Sequence, residues 1–114
     1  MKSNRKQSRP FDIDRIQLNM QAVQTKISEP LYRYIFNKIE RLGRKYSRIR
    51  KFDFLLKESK SDKNKNFNVA VELNIPGHVL YARVKNENPR QSVKTAFDEL
   101  DKQLIRVKEK STRE

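Results

Sequence analysis

The chain has 114 residues and a mass of 13.7 kDa, enough for one compact domain. Lys and Arg number 27 against 14 Asp and Glu, a formal net charge of +13, and that excess points to a polyanionic partner. The absence of cysteine excludes a disulfide scaffold, a cysteine zinc site and a thiol nucleophile, and no apolar run nears the roughly 18 residues of a membrane span.

Residues 1–15 are polar and basic, hold Pro10 and show no sustained periodicity. They are expected to form a flexible N-terminal arm, either a plain terminus or one that touches nucleic acid. They also lack the apolar stretch of a secretory signal, so the composition predicts a soluble cytoplasmic domain. From residue 16 the pattern changes. Ile16, Leu18 and Met20 alternate with Gln17, Asn19 and Gln21, the period of a half-buried strand. Ser28-Glu29-Pro30 supplies a cap, a first-turn acid and an early proline, which together start a helix. Leu31, Ile35, Phe36, Ile39, Leu42 and Tyr46 then recur at helical spacing, so the helix is expected over residues 29–46, with Gly43 loosening its last turn.

Phe52, Phe54 and Leu56 mark a second strand, and the polar residues 58–66 read as a solvated connection. Phe67, Val69, Val71, Leu73 and Ile75 form the cleanest alternation in the chain. Pro76-Gly77 is a turn pair, and Leu80, Ala82 and Val84 alternate beyond it, so the third and fourth strands should form an antiparallel hairpin. Asn88-Pro89 opens a last helix, expected over residues 89–110, with an apolar stripe of Val93, Ala96, Phe97, Leu100, Leu104 and Val107. Residues 111–114 remain as a short tail. The predicted class is α+β in the order β-α-β-β-β-α: a four-stranded sheet with two helices packed on one face, in a single domain over residues 16–110.

The positive charge is focused. At about 100° per residue, Arg33, Arg41, Arg44 and, if the helix continues, Arg48 lie opposite the apolar stripe of the first helix. Tyr34, Lys38, Arg41 and Lys45 form a neighbouring ridge, and Glu40 is the only acid between Leu31 and Lys51. A face made only for solubility would mix signs. In the last helix Lys102, Arg106 and Lys110 share a ridge, with Lys108 towards its flank. Cations near a helix C-terminus also suit its dipole. Both helices should pack on one sheet face, however, so their basic ridges would join into one surface. Such a surface binds phosphate backbone by counterion release, and Tyr34 could stack on an exposed base. Asp98 and Glu99 are placed to pair with Lys102 at i+4 and i+3.

Catalysis finds no support. His78 is the single histidine and stands beside a turn. No Ser-His-Asp set or metal-ligand cluster is present, and two glycines cannot make a Gly-rich phosphate loop. The expectation is a protein that is not an enzyme and takes no cofactor, no metal and no small-molecule substrate.

The element order with basic outer helix faces resembles the ribosome hibernation promoting factors, also called ribosome-associated inhibitor or sigma-54 modulation proteins. The stretch Ala96-Phe97-Asp98-Glu99-Leu100-Asp101-Lys102-Gln103-Leu104, continuing to Arg106, Lys108 and Lys110, is the most specific match. Ile16-Gln17-Leu18-Asn19, Ser28-Glu29-Pro30-Leu31 and Ile75-Pro76-Gly77 support it. Since the chain ends soon after the last helix, it is similar to the short type. The resemblance implies binding to the small ribosomal subunit in the channel of tRNA and mRNA, which blocks translation and preserves idle ribosomes. It also implies that Lys38, Arg41, Arg44, Lys45, Lys102, Arg106, Lys108 and Lys110 contact ribosomal RNA, with Arg33 beside them. Two alternatives stay open. One is a generic RNA-binding module of the double-stranded RNA-binding type, which would lack the leading strand. The other is a modulator acting through protein–protein contacts.

Overall fold

The computed structural model describes residues 16–61 and 64–113, so the arm expected over residues 1–15 lies outside the described residues. Six elements follow one another: β1 (Gln17–Val23), α1 (Glu29–Lys45), β2 (Lys51–Ser61), β3 (Asn64–Ile75), β4 (His78–Asn86) and α2 (Pro89–Arg113). The sheet order is β1-β2-β3-β4. β1 and β2 run parallel, which a hairpin cannot connect, and α1 makes the crossover. The other two pairings are antiparallel.

Register turns the alternating sequence into rows. Leu18, Phe52, Leu73 and Leu80 face one another across the four strands, and Met20, Phe54, Val71 and Ala82 form the next row. These side chains join Leu31, Ile35, Ile39 and Leu42 of α1 and Val93, Ala96, Phe97, Leu100 and Leu104 of α2 in one core. Both helices therefore cover the same sheet face, as expected. Phe52 and Phe97 stack across the two layers with ring centroids 6.0 Å apart, a contact worth about 0.5–1.5 kcal/mol beyond its buried area.

The helix starts are built as their sequences predict. Ser28 Oγ accepts from the Leu31 N–H at 3.3 Å, and Asn88 Oδ1 accepts from the Gln91 N–H at 3.1 Å. The fully buried Ser92 donates its hydroxyl to the Phe67 carbonyl at 3.0 Å, which seats the first turn of α2 on β3. Pro76 and Gly77 (φ +85°) join β3 to β4, with Ile75 opposite His78; glycine supplies the positive φ at no steric cost.

Three boundaries differ from expectation. Residues 58–66 are mostly strand: β2 and β3 stay paired as far as Ser61 opposite Asn64. Ladder hydrogen bonds extend the hairpin past the core, where no burial demands an alternating pattern, and a Glu58–Lys65 ion pair at 3.4 Å braces it. α2 continues to Arg113, since Ser111-Thr112-Arg113 contains neither Gly nor Pro to stop it. Gly43 does not loosen α1, which stays helical through Lys45. A Cβ at Gly43 would stand 3.0 Å from Ile16 Cδ1, so the glycine gives room for the residue before β1 to press onto the helix.

Candidate nucleic-acid interface

The two helices lie side by side and run in the same direction. Early in both, the guanidinium of Arg90 (α2) sits 4.2 Å from the ring centroid of Tyr34 (α1). Later, Lys45 Nζ meets Asp101 Oδ1 at 3.1 Å and Tyr46 Oη donates to the same oxygen at 3.0 Å. Further on, Lys108 Nζ lies 5.9 Å from the Tyr46 ring. The sequence numbers rise together along the seam, so the outer surfaces of both helices form one continuous face.

That face carries the expected cations in three tiers. Arg33, Arg41 and Arg44 stand exposed on α1, because Leu31, Ile35, Ile39 and Leu42 occupy the buried stripe opposite. Tyr34, Lys38 and Lys45 line the seam. Lys102 is on the crest of α2. Gln103 donates to the Tyr81 carbonyl of β4 at 2.9 Å, so Arg106 and Lys110, one and two turns on, share the flank that leans towards β4. Lys108 is on the opposite flank, facing α1. Lys102, Arg106, Lys108 and Lys110 are all exposed. The basic surface thus wraps over α2 rather than following one ridge.

The acids on this face are largely occupied. Asp101 is held by Lys45 and Tyr46. Asp98 pairs with Lys94 at 2.9 Å, one turn earlier, and not with Lys102; Glu99 accepts from Gln103 Nε2 at 3.3 Å. Helical spacing offers Asp98 a lysine on either side, and Lys94 leans to the seam where Asp98 can reach it. Arg41, Lys102, Arg106 and Lys110 make no ion pair to another described residue. Arg33 makes a loose, solvent-exposed pair with Glu29 at 3.7 Å, of little energetic weight, and Arg44 makes a loose one at 3.8 Å with Glu40, whose side chain is mostly covered.

Local fields follow from these contacts. The hydrogen bond to Asp101 raises the Lys45 ammonium above its ordinary value, and burial only partly offsets it. Asp98 does the same for Lys94. Burial, then the bond to Asp101, raises the Tyr46 phenol. Lys45 is thereby engaged inside the protein more than the other cations expected to bind RNA. Tyr34 is also engaged: Arg90 covers its ring and Lys38 Nζ lies 5.3 Å from its centroid. A base stacking here would meet the Arg90 guanidinium, itself a flat cation suited to stacking. Sequence spacing missed Arg90 and Lys94 as members of the surface. The signal was present, since they stand four residues apart and continue towards Asp98, but it needed the inter-helix register to be seen.

Among the described residues no group of three or more His, Asp or Glu is placed to hold a metal, and no helix is long and apolar enough to cross a membrane. His78 is exposed at the start of β4.

A basic two-layer α+β domain with paired helices on one sheet face is therefore the class that fold and surface define. Residues 18–112 match the family described as sigma 54 modulation protein / S30EA ribosomal protein, and the chain belongs to that family. It is 26% identical over 95 residues to the ribosome hibernation promoting factor of Pseudomonas putida, covering 83% of this chain and 89% of that protein. Its fold is similar to a ribosomal subunit interface protein from Coxiella burnetii (TM-score 0.71, 18% identity, 82% of this chain and 98% of that one). It is also similar to the N-terminal domain of Thermus thermophilus Protein Y (TM-score 0.66, 16% identity, 81% and 99%).

Proposed function

We propose that this protein is a ribosome hibernation factor acting in the cytoplasm. It binds ribosomal RNA of the small subunit through the joined outer faces of α1 and α2, in the channel that tRNA and mRNA use. Translation stops by exclusion, and the idle ribosome is preserved. The observation that carries this reading is the set of cations left without an acid partner among the described residues, Arg41, Lys102, Arg106 and Lys110, on two adjacent helices of a chain in this family. A solvated face would pair such charges; an RNA-binding face keeps them for phosphate. Backbone contact suits a folded RNA, which is read by shape more than by base edges. No cofactor enters this mechanism, because occupancy of the channel is enough.

Co-sedimentation with ribosomes and separated subunits across a salt series tests it. The expected result is saturable binding to the small subunit, about one copy per particle, with log affinity falling linearly as log salt rises. Equal binding to any duplex RNA would overturn the ribosomal assignment and leave a general RNA-binding module.

A further inference from the structure

Where α1 ends, the β3–β4 turn and the later part of α2 close around a cleft of about 390 Å³. Its floor is apolar: Ile75 and Pro76 from the turn side, Leu104 and Val107 from α2. Its rim is cationic: Lys45, Arg48 and Lys108. Among the described residues no carboxylate lines it, and Asp101 on the seam is already held by Lys45 and by the Tyr46 hydroxyl. The Lys45 and Lys108 ammonium groups lie 5.5 and 5.9 Å from the ring of Tyr46, which lines the cleft beside them. The C-terminus of α1 also points here, but it contributes only about half a negative charge beside the Arg48 guanidinium and the Lys108 ammonium.

An apolar floor with a one-signed rim is the chemistry of a small amphipathic anion. The volume is at the low end for ligand sites, about 300–1,000 Å³, so the occupant is a single unit and not a chain. We propose that the cleft is a nucleotide pocket, which takes one unstacked nucleoside phosphate with the base on Ile75, Pro76 and Val107 and the phosphate between Arg48 and Lys108. Where that nucleotide belongs to ribosomal RNA, the inference rests on the function proposed above. Where it is a free nucleotide, the same chemistry applies without the ribosome. Phosphate on the helix faces would hold the protein by charge alone; a base seated in the cleft would add orientation.

The test titrates the full ¹⁵N-labelled chain with AMP, ribose 5-phosphate and adenosine, followed by NMR. AMP should saturate and move the amides of residues 45–48, 75, 77, 78 and 104–108. The two fragments should need at least about tenfold higher concentrations, a difference of about 1.4 kcal/mol. Equal binding of ribose 5-phosphate, or shifts spread along both helices without saturation, overturns the pocket. Arg48→Glu, at an exposed position, should weaken AMP at least tenfold. Val107→Phe, which fills the floor without changing charge, should do the same while leaving ribose 5-phosphate unchanged. Both variants then go into small-subunit co-sedimentation. Weaker binding assigns the nucleotide to ribosomal RNA, and unchanged binding assigns it to a free nucleotide; both keep the pocket. Ribosome binding without AMP binding overturns the pocket alone. AMP binding without ribosome binding overturns the proposed function alone.

Discussion

The two broad faces of this molecule are both charged, yet they handle charge in different ways. On the open sheet face, several polar groups satisfy one another, while the exposed Lys57 and Lys85 make no ion pair to another described residue. Asn19 donates to Asp53 at 3.1 Å, Lys51 pairs with Asp53 at 3.6 Å, and Asn68 donates to Ser59 at 3.2 Å. Arg83 donates twice to the Tyr81 hydroxyl and lies over its ring. On the helix face the acids are drawn into the seam, and the crests keep unneutralised cations. Net charge alone would not distinguish the two faces. What differs is how the unpaired cations are gathered: the helix face sets Arg41, Lys102, Arg106 and Lys110 on two adjacent helices, against Lys57 and Lys85 on the sheet face.

The first way to break this contrast is to separate the layers. Phe97→Ala removes the ring that stacks on Phe52 and should cost about 3–5 kcal/mol in chemical denaturation. An unaltered midpoint would mean that α2 does not hold the helix layer to the sheet as described. The next variants leave the core intact. Arg41→Glu with Lys45→Glu, or Lys102→Glu with Arg106→Glu, should weaken ribosome binding about 100-fold, near 2.7 kcal/mol. The slope of log affinity against log salt should become shallower by about one for each phosphate that the variant no longer engages. Melting should stay near wild type for the α2 pair, whereas the α1 pair should lose some stability with the Lys45–Asp101 bond. Normal binding by both pairs would sink the two-helix surface.

A subtler variant should move stability and binding in opposite directions. Asp101→Asn releases Lys45 and weakens the bond to Tyr46, so the melting temperature should drop while RNA binding tightens several-fold. Weaker binding would show that the pin orders the surface more than it neutralises it. The same pin gives a pH signature. The raised values of Lys45, Lys94 and Tyr46 contribute stability that is complete below their ordinary values of 10.5 and 10.0. That stability is lost as pH rises through the higher folded values, so thermal melts should hold across neutral pH and fall above about pH 10. The smallest effect is the control on the other face: Lys57→Glu should change ribosome binding by no more than about twofold, because steering charge falls off within a Debye length of roughly 10 Å.

Much of this was legible in the sequence. Period two in Phe67 to Ile75 and period 3.6 in Val93 to Val107 come directly from burial on one side, so elements built on the core could be read residue by residue. The outer hairpin could not, because backbone pairing at Ser59–Asn66 and Lys60–Lys65 leaves no mark on side-chain polarity. The cations of the surface were equally readable from their positions around each helix. Their partners were not. Whether Asp98 turns to Lys94 or Lys102, whether Asp101 meets Lys45, and whether Arg90 covers Tyr34 depend on how two helices are set against each other, and that is decided by core packing many residues away. The cleft between α1, the turn and α2 escaped for the same reason: its lining comes from three separated stretches of chain.

The bond from Gln103 to the Tyr81 carbonyl has one more consequence. β4 is one of the two outer strands of the sheet, and an outer strand is a template on which a further strand can add. Gln103 already occupies one of its outward acceptors, and α2 lies along it. An incoming chain would have to break that bond before it could pair. On this side of the sheet, one glutamine thus stands in the way of the pairing by which two copies could join strand to strand.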